Sequence, residues 1–387
     1  MGYAAEAKKA KVIFSLASGH NFYFYHREKR PVFFDKQAEI LEHLKPTPFR
    51  DGKSREIFYL KKLSKDSGRV MDLKYWLDLI RKPVDAEYYI WPVDIVALSD
   101  DPDKSEYALV FPFSAWPDFV HITPFLSNLD IDANPQNLWP DSEFYLGRQN
   151  PFVRSLITSL LGAWRAYDRS NYAYHEFSYA NIYYRKNDFR VKFDFSFSAH
   201  KVLPTDQTIV PMGHIKPKNN KSVLLPNPYS LIPCGEAAIV DESRITADYA
   251  DPYYYHSQKG GMDLYSDYFA MAAILFKLLI GKLPYAGSIL EGEPNIKESE
   301  HALWLKIYHK NPVFIFDLED RSNRLGSGEP EIYQDRWNQL DQSLRNMFHN
   351  TFQRVNVLRE TADLKFYSPD QWQKALAGQD GVLSVEC

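Results

Sequence analysis

An α+β fold in two lobes, a small sheet-rich one ahead of a larger helical one, is what the sequence predicts. Length is the first observation behind it: 387 residues at 45% hydrophobic content suffice for about two ordinary cores. The second is the opening text from Val12 to Phe34. There the apolar and aromatic runs VIFSL, FYFYH and VFF are split by Ala17-Ser18-Gly19-His20-Asn21 and by Glu28-Lys29-Arg30-Pro31, and such turn signals predict three successive antiparallel strands. The third is the change of character further on, where a long amphipathic segment from Pro151 to Tyr167 opens a mostly helical remainder.

The elements follow in order. Ser54 to Leu63 places Ile57, Leu60 and Leu63 at helical spacing and predicts a helix. Tyr88 to Ala97 and Tyr107 to Phe113 predict two more strands, and Ser114-Ala115-Trp116-Pro117 reads as a linker. A first domain is therefore expected over residues 1–113 and a second over 114–387. Within the second, Pro151 to Tyr167 predicts a helix, Ile182–Tyr184 and Val191–Phe193 predict short strands, and a loop-rich stretch runs to about Pro252 before the final helices. The Lys- and Asn-rich stretch from Lys216 to Lys221 reads as an exposed loop.

Composition removes several function classes. Lys+Arg 46 against Asp+Glu 50 leaves a net charge of −4, so there is no overall basic excess to hold a nucleic-acid backbone or an anionic membrane surface. Neither nucleic acid nor membrane is expected as a partner. The two cysteines, Cys234 and Cys387, are too few for a disulfide framework or a cysteine-rich zinc site and fit a reducing, cytoplasmic setting. The segment Met1 to Lys11 lacks the apolar stretch of a secretion signal, and the run Ala270 to Gly281 is short and carries Lys277, so no targeting or membrane-spanning segment is expected. The 11 histidines show no zinc-binding spacing. Aromatic content of 15% predicts rings packed through the cores with hydroxyl tips on water or backbone.

Chemistry concentrates in Tyr174-His175-Glu176-Phe177-Ser178-Tyr179-Ala180-Asn181-Ile182, followed after a hairpin by Lys192-Phe193-Asp194-Phe195-Ser196. A carboxylate, Glu176, precedes an amide, Asn181, by five positions, and a second carboxylate, Asp194, lies thirteen beyond. Phosphoryl transfer from a nucleotide needs such a set: one carboxylate to orient and deprotonate an acceptor hydroxyl, and hard oxygen ligands to hold Mg²⁺ on the phosphates. On the residues alone, Asp194 is open to a hairpin role, Asn181 to a turn-capping role and Glu176 to a structural hydrogen bond.

These residues resemble the protein kinase family. The pattern H-R-D-x-x-x-x-N followed by D-F-G is matched by Tyr174-His175-Glu176 through Asn181 and by Asp194-Phe195-Ser196. Ala250-Asp251-Pro252 stands where the family has A-P-E, and Tyr265-Ser266-Asp267 resembles the start of the helix whose leading Asp buttresses the catalytic loop. Lys36 and Glu56, twenty residues apart, resemble the strand lysine and helix glutamate that pair in active kinases, with Lys45 as another candidate for the lysine. Leu109-Val110-Phe111-Pro112-Phe113 resembles the hinge entering the adenine pocket, and the loop around Gly19 the phosphate-facing loop. The resemblance covers roughly Val12 to Leu376 and implies a bilobal protein kinase-like fold using ATP and Mg²⁺. In the scheme it implies, Glu176 orients the hydroxyl, Asn181 and Asp194 hold Mg²⁺, and Lys36, braced by Glu56, contacts the phosphates. Gly19, Phe111 and Phe113 would line the nucleotide site. EFSYANIYY, NPVFIFDLEDRSNR and RWNQLDQSLRNMFHNTFQ look like a group of atypical bacterial serine/threonine kinases. The partners this implies are a protein substrate or signalling partner, with metal-dependent protein phosphatases and von Willebrand-type proteins as context.

The departures from the family pattern shape the expectation. Glu176 replaces the catalytic Asp, and its extra methylene moves the carboxylate by about 1 Å, a displacement that can cost about a hundredfold in rate. Ser196 replaces the glycine of D-F-G, Gly19 is the one glycine where the family has two or three, and Ser178 stands where a lysine is common. Tyr253 occupies the A-P-E glutamate position, which implies that the ion pair of that glutamate with a late arginine is lost. The alternative function is accordingly a pseudokinase, a scaffold or nucleotide-binding regulatory module without phosphotransfer. A small-molecule phosphotransferase is a third reading, disfavoured by the long interval from Asp194 to Pro252.

Overall fold

The structure, a computed structural model, describes residues 11–14, 21–24, 49–50, 57–62, 73–97, 107–112, 119–122, 151–170, 172–174, 177–178, 181–185, 187–194, 200–201, 251–253, 264–288, 312–326 and 331–377. They form small antiparallel sheets and several helices, an α+β arrangement. The chain divides into two compact units, Met1–His121 with Lys192–Phe195, and Ile122–Val191 with Ser196–Cys387. The first passage between units therefore falls at His121, beyond the 113–114 boundary expected from the linker.

In the first unit the strands are β1 (Lys11–Phe14), β2 (Asn21–Phe24), β3 (Phe49–Arg50), β4 (Ile57–Lys62), β5 (Asp94–Ala97), β6 (Tyr107–Pro112) and β7 (Phe119–His121), with helix α1 (Leu73–Arg81) between β4 and β5 in sequence. β1 and β2 pair antiparallel; the third strand expected in this region, around Pro31–Phe34, lies outside the described residues. The main sheet runs β3-β4-β6-β5, all antiparallel. The helix expected over Ser54–Leu63 is corrected by this sheet. Residues 57–62 are strand β4, with Leu60 opposite Val110 of β6. The spacing of Ile57, Leu60 and Leu63 fits a helix, but the run Ile-Phe-Tyr-Leu fits a short strand equally well, and ladder pairing decides. Ala108 to Phe111 of β6 and Ile95 and Val96 of β5 are fully buried. Trp76 and Leu79, three apart on α1, are buried too, and the Leu79 carbonyl accepts the Trp91 indole N–H at 3.0 Å.

In the second unit, α2 (Pro151–Ser170) starts on a proline, whose missing N–H is harmless in the first turn. It buries Val153, Leu156, Ile157, Leu160, Leu161, Trp164 and Tyr167, the stripe of an amphipathic helix. Short strands β8 (Tyr172–Ala173) and β9 (Ile182–Arg185) follow, then β10 (Val191–Phe193), along which the chain re-enters the first unit at Lys192, and β11 (His200–Lys201). The turn after β9 is docked on α2: Ser155 Oγ donates to the Asp188 carbonyl and the Val191 N–H donates to Ser159 Oγ, both at 2.8 Å.

Helix α3 (Leu264–Ile280) is buried almost all round from Tyr268 onward, so it is the central helix of its unit. It stops at Gly281, whose φ of 95° suits a residue without Cβ, and the buried Arg336 donates to the Ile280 carbonyl at 2.9 Å. That arginine belongs to α4 (Ile332–Gln339), which is followed by α5 (Gln342–Phe352), α6 (Arg354–Val357) and α7 (Pro369–Ala377). Asp341 caps α5 by accepting the Leu344 N–H at 2.8 Å. The core around α3 is aromatic, as composition predicts: the Phe276 ring meets Phe314, Phe316, Trp337, Phe348 and Phe352 at centroid distances of 5.2–6.3 Å. Among the described residues no helix is long and apolar enough to cross a membrane.

Packing of α2 on α3 carries a pH dependence. Tyr268 OH donates to Asp168 Oδ1 at 2.7 Å, yet burial pushes the Asp168 carboxyl above the usual carboxylate range. The nearby Asp370 adds to the rise, while the Tyr268 bond and Arg169 oppose it. A raised pKa in the folded state means that the folded chain holds this proton more tightly than the unfolded one. The contribution of the group to stability is thus fully present below the unfolded value and lost as pH rises through the folded one. Asp168→Asn, which keeps an acceptor for Tyr268, is expected to gain stability over the wild type at pH 7 and to lose that advantage near pH 4. Urea midpoints at the two pH values check it, and a difference independent of pH would refute it.

Candidate active site

The loop that leads to Glu176 is anchored within the second unit. β8 pairs antiparallel with β11, placing Ala173 opposite His200. Tyr174 and Phe177 are buried and stack at 4.4 Å, and each meets the Tyr167 ring of α2 edge-on, at 5.4 and 5.8 Å. The Tyr174 N–H donates to Asp267 Oδ2 at 2.7 Å across 93 positions of sequence. Asp267 is buried in the first turn of α3, where the helix dipole favours a negative charge. A backbone N–H donating to this carboxylate fits the buttressing that the resemblance implies for it. Beyond Phe177 the chain turns, the Asn181 N–H donating to the Ser178 carbonyl at 3.1 Å, and Asn181 is buried at the threshold of β9. Ser178 is 3% exposed, and among the described residues its Oγ has no hydrogen-bond partner.

Asp194 belongs to the first unit. Phe193 donates its N–H to the Tyr88 carbonyl at 2.8 Å, its own carbonyl accepts the Ile90 N–H at 2.9 Å, and its ring stacks on Tyr89 at 5.5 Å. This bridge ends β10 and fixes the backbone entering Asp194, which is 1% exposed. A carboxylate at that depth is far from the usual surface position of aspartate. Asn181 and Asp194 each offer a hard oxygen of the kind Mg²⁺ prefers. Among the described residues no group of three or more His, Cys, Asp or Glu is placed to hold a metal ion.

Of the other expected site residues, Phe111 lies on β6, fully buried, opposite Tyr59 of β4. Gly19, Lys36, Glu56, Phe113 and Glu176 lie outside the described residues. The described residues that follow Glu56, 57–62, form strand β4.

The expected loss of an ion pair to a late arginine is likewise corrected. Asp251, fully buried, meets the Arg359 guanidinium at 2.5 Å, so the carboxylate comes from two positions ahead of Tyr253. Asp251 also accepts from Ser266 Oγ and from the Tyr253 N–H, each at 3.1 Å. Tyr253, Tyr265 and Phe366 present their rings to the same guanidinium at 4.8–5.4 Å, and its Nη1 donates to the Val357 carbonyl at 3.0 Å. Charge, cation–π and backbone contacts converge on one side chain, and they tie the segment ending at Tyr253 to α3 and to the turn after α6. Neither a protein-family model nor a curated protein matches the chain.

Proposed function

We propose that the chain is a protein kinase-like phosphotransferase that moves the γ-phosphoryl group of ATP, with Mg²⁺, to a Ser or Thr hydroxyl of a protein. The observation that carries the reading is the hydrogen bond from the Tyr174 N–H to Asp267 at 2.7 Å. It joins the two motifs that the resemblance pairs, the catalytic-loop block and the helix with the leading aspartate. The Asp251–Arg359 pair supports it further by supplying the late-arginine contact from a neighbouring position. In this reading the fold is bilobal and kinase-like, Asn181 and Asp194 are the metal-holding oxygens, and Glu176 orients the acceptor hydroxyl. Lys36, braced by Glu56, is the phosphate-contacting lysine in this reading. Bound Mg²⁺ would neutralise charge on the phosphates.

Calorimetric titration of purified protein with ATP, with and without Mg²⁺, followed by incubation with labelled ATP, tests the proposal. Mg²⁺-dependent binding with label transferred to protein is the expected result. Binding with no transfer to itself, to generic protein substrates or to a genetic neighbour would favour the pseudokinase reading. Absence of any nucleotide binding would end the phosphotransfer reading and the assignments of Lys36, Asn181 and Asp194, leaving a scaffold on the fold alone.

A further inference from the structure

Hairpin turns that need a positive φ ordinarily place glycine or asparagine there, because a Cβ crowds the backbone in that conformation. The turn from β9 to β10 breaks this rule. Phe189 closes it at a φ of 57°, donating its N–H to the Arg185 carbonyl at 2.8 Å while the Arg185 N–H donates to the Arg190 carbonyl at 2.9 Å. A bulky residue in this region is an outlier, and a residue kept where its backbone is costly points to a use for its side chain. The Phe189 ring stacks on Tyr184 at 5.8 Å, both residues half-buried. Two arginines flank the rings: Arg185 and Arg190, 30% and 58% exposed at their side chains, share the carboxylate of Asp188. Two guanidinium groups against one carboxylate leave the hairpin cationic on a chain whose net charge is −4. Rings beside arginines are the composition found at the centres of protein interfaces.

The same unit carries a complementary surface. In the turn after Phe316, Leu318 is 70% exposed, the most exposed large apolar side chain among the described residues, and it stands between Asp317 and Glu319-Asp320. One exposed leucine is ordinary, but this one is held out by its turn. Asp317 Oδ1 accepts the N–H groups of Glu319 and Asp320 at 2.8 and 2.9 Å, and Asp320 Oδ1 accepts that of Ser322 at 2.9 Å. On one side Phe316 stacks on Trp337 at 4.5 Å, and on the other the fully buried Asn323 donates to the Tyr285 and Val313 carbonyls. A turn ordered in advance loses little freedom on docking. We propose that the Leu318 turn of one copy of the chain docks on the Phe189 hairpin of a second copy, leucine against the Tyr184–Phe189 rings and carboxylates against Arg185 and Arg190. Two unlike patches make a head-to-tail contact that leaves one patch of each kind open at the ends, so association continues past the dimer as concentration rises. The patches are small, which places the contact in the weak, transient class, and their opposite charges speed encounter and fix the register. None of this depends on the phosphotransfer reading.

Sedimentation velocity of the full chain over a concentration series, at about 0.05 and 0.5 M salt, tests the proposal. Wild type is expected to sediment faster as concentration rises, and less so at the higher salt. Arg190→Glu, Leu318→Ser and Glu319→Lys alter exposed side chains, so their thermal midpoints should match wild type, yet each should raise the dissociation constant at least about 10-fold. Phe189→Asn, which suits the backbone of the turn but removes the ring, should weaken association too. Arg190→Glu mixed with Glu319→Lys should associate again, because the two reversed charges meet each other at one contact and the other contact is native on both sides. A wild type that stays monomeric throughout overturns the proposal. So does association that any of the four variants leaves unchanged, or a mixture that associates no better than its components.

Discussion

Asp251→Ala is expected to lower the unfolding free energy by about 3–5 kcal/mol, the range for removing one partner of a buried ion pair. The estimate follows from what is left behind. Arg359 is 10% exposed at its side chain and always charged, so truncating Asp251 leaves a guanidinium among three rings with its counter-charge gone. The Tyr253 N–H and the Ser266 hydroxyl lose an acceptor at the same time. Arg359→Leu removes the charge together with the cation–π contacts and leaves Asp251 with its two neutral donors, so it too destabilises. In the double variant the orphaned charge no longer exists, and its loss should be clearly smaller than the sum of the two single losses. Urea denaturation of the four proteins measures this. Additive losses would mean that the two side chains act independently despite their 2.5 Å separation.

Asp194→Ala is expected to reduce label transfer from ATP by at least about 100-fold, and to raise the Mg²⁺ concentration needed for nucleotide binding. Loss of a residue merely supporting a metal ligand already costs about 10–100-fold, and Asp194 is assigned as a ligand itself. Its burial sharpens the argument. A carboxylate at 1% exposure is held against a desolvation cost, and a bound divalent cation is an effective way to offset it. Asp194→Asn keeps an oxygen but not the charge, so it should fall between alanine and wild type in Mg²⁺ dependence. Transfer at the wild-type rate with an unchanged Mg²⁺ requirement in Asp194→Ala would defeat the assignment.

What could be read from the sequence divides along physical lines. Long periodic segments were legible: the amphipathic stripe from Val153 to Tyr167 becomes α2, and the apolar run after Asp267 becomes α3. The aromatic character of the core was legible in composition. β4 was not, because a six-residue run satisfies both periods and only its neighbour β6 selects one. Asp251 was missed for another reason. It was matched by position in a motif, whereas an ion pair needs only a carboxylate that can reach, and its partner lies 108 residues away. Asp267 was found because the resemblance supplied its partner loop, although the bond itself also spans a long interval. The unmet hydroxyl of Ser178 has no sequence signature, since a serine in a loop is ordinarily wet.

The return of Lys192–Phe195 to the first unit has a practical meaning for anyone cutting the gene. A fragment ending at His121 would contain every strand of the β3-β4-β6-β5 sheet, yet it would lack the short stretch whose backbone closes on Tyr88 and Ile90 and whose ring covers Tyr89. The complementary fragment would carry that stretch without the Tyr88–Ile90 segment on which it closes. Expressed alone, the shorter piece should be prone to aggregate. Expressed together, the two should behave as a split reporter does, each rescued by the other, with Phe193 as the clasp.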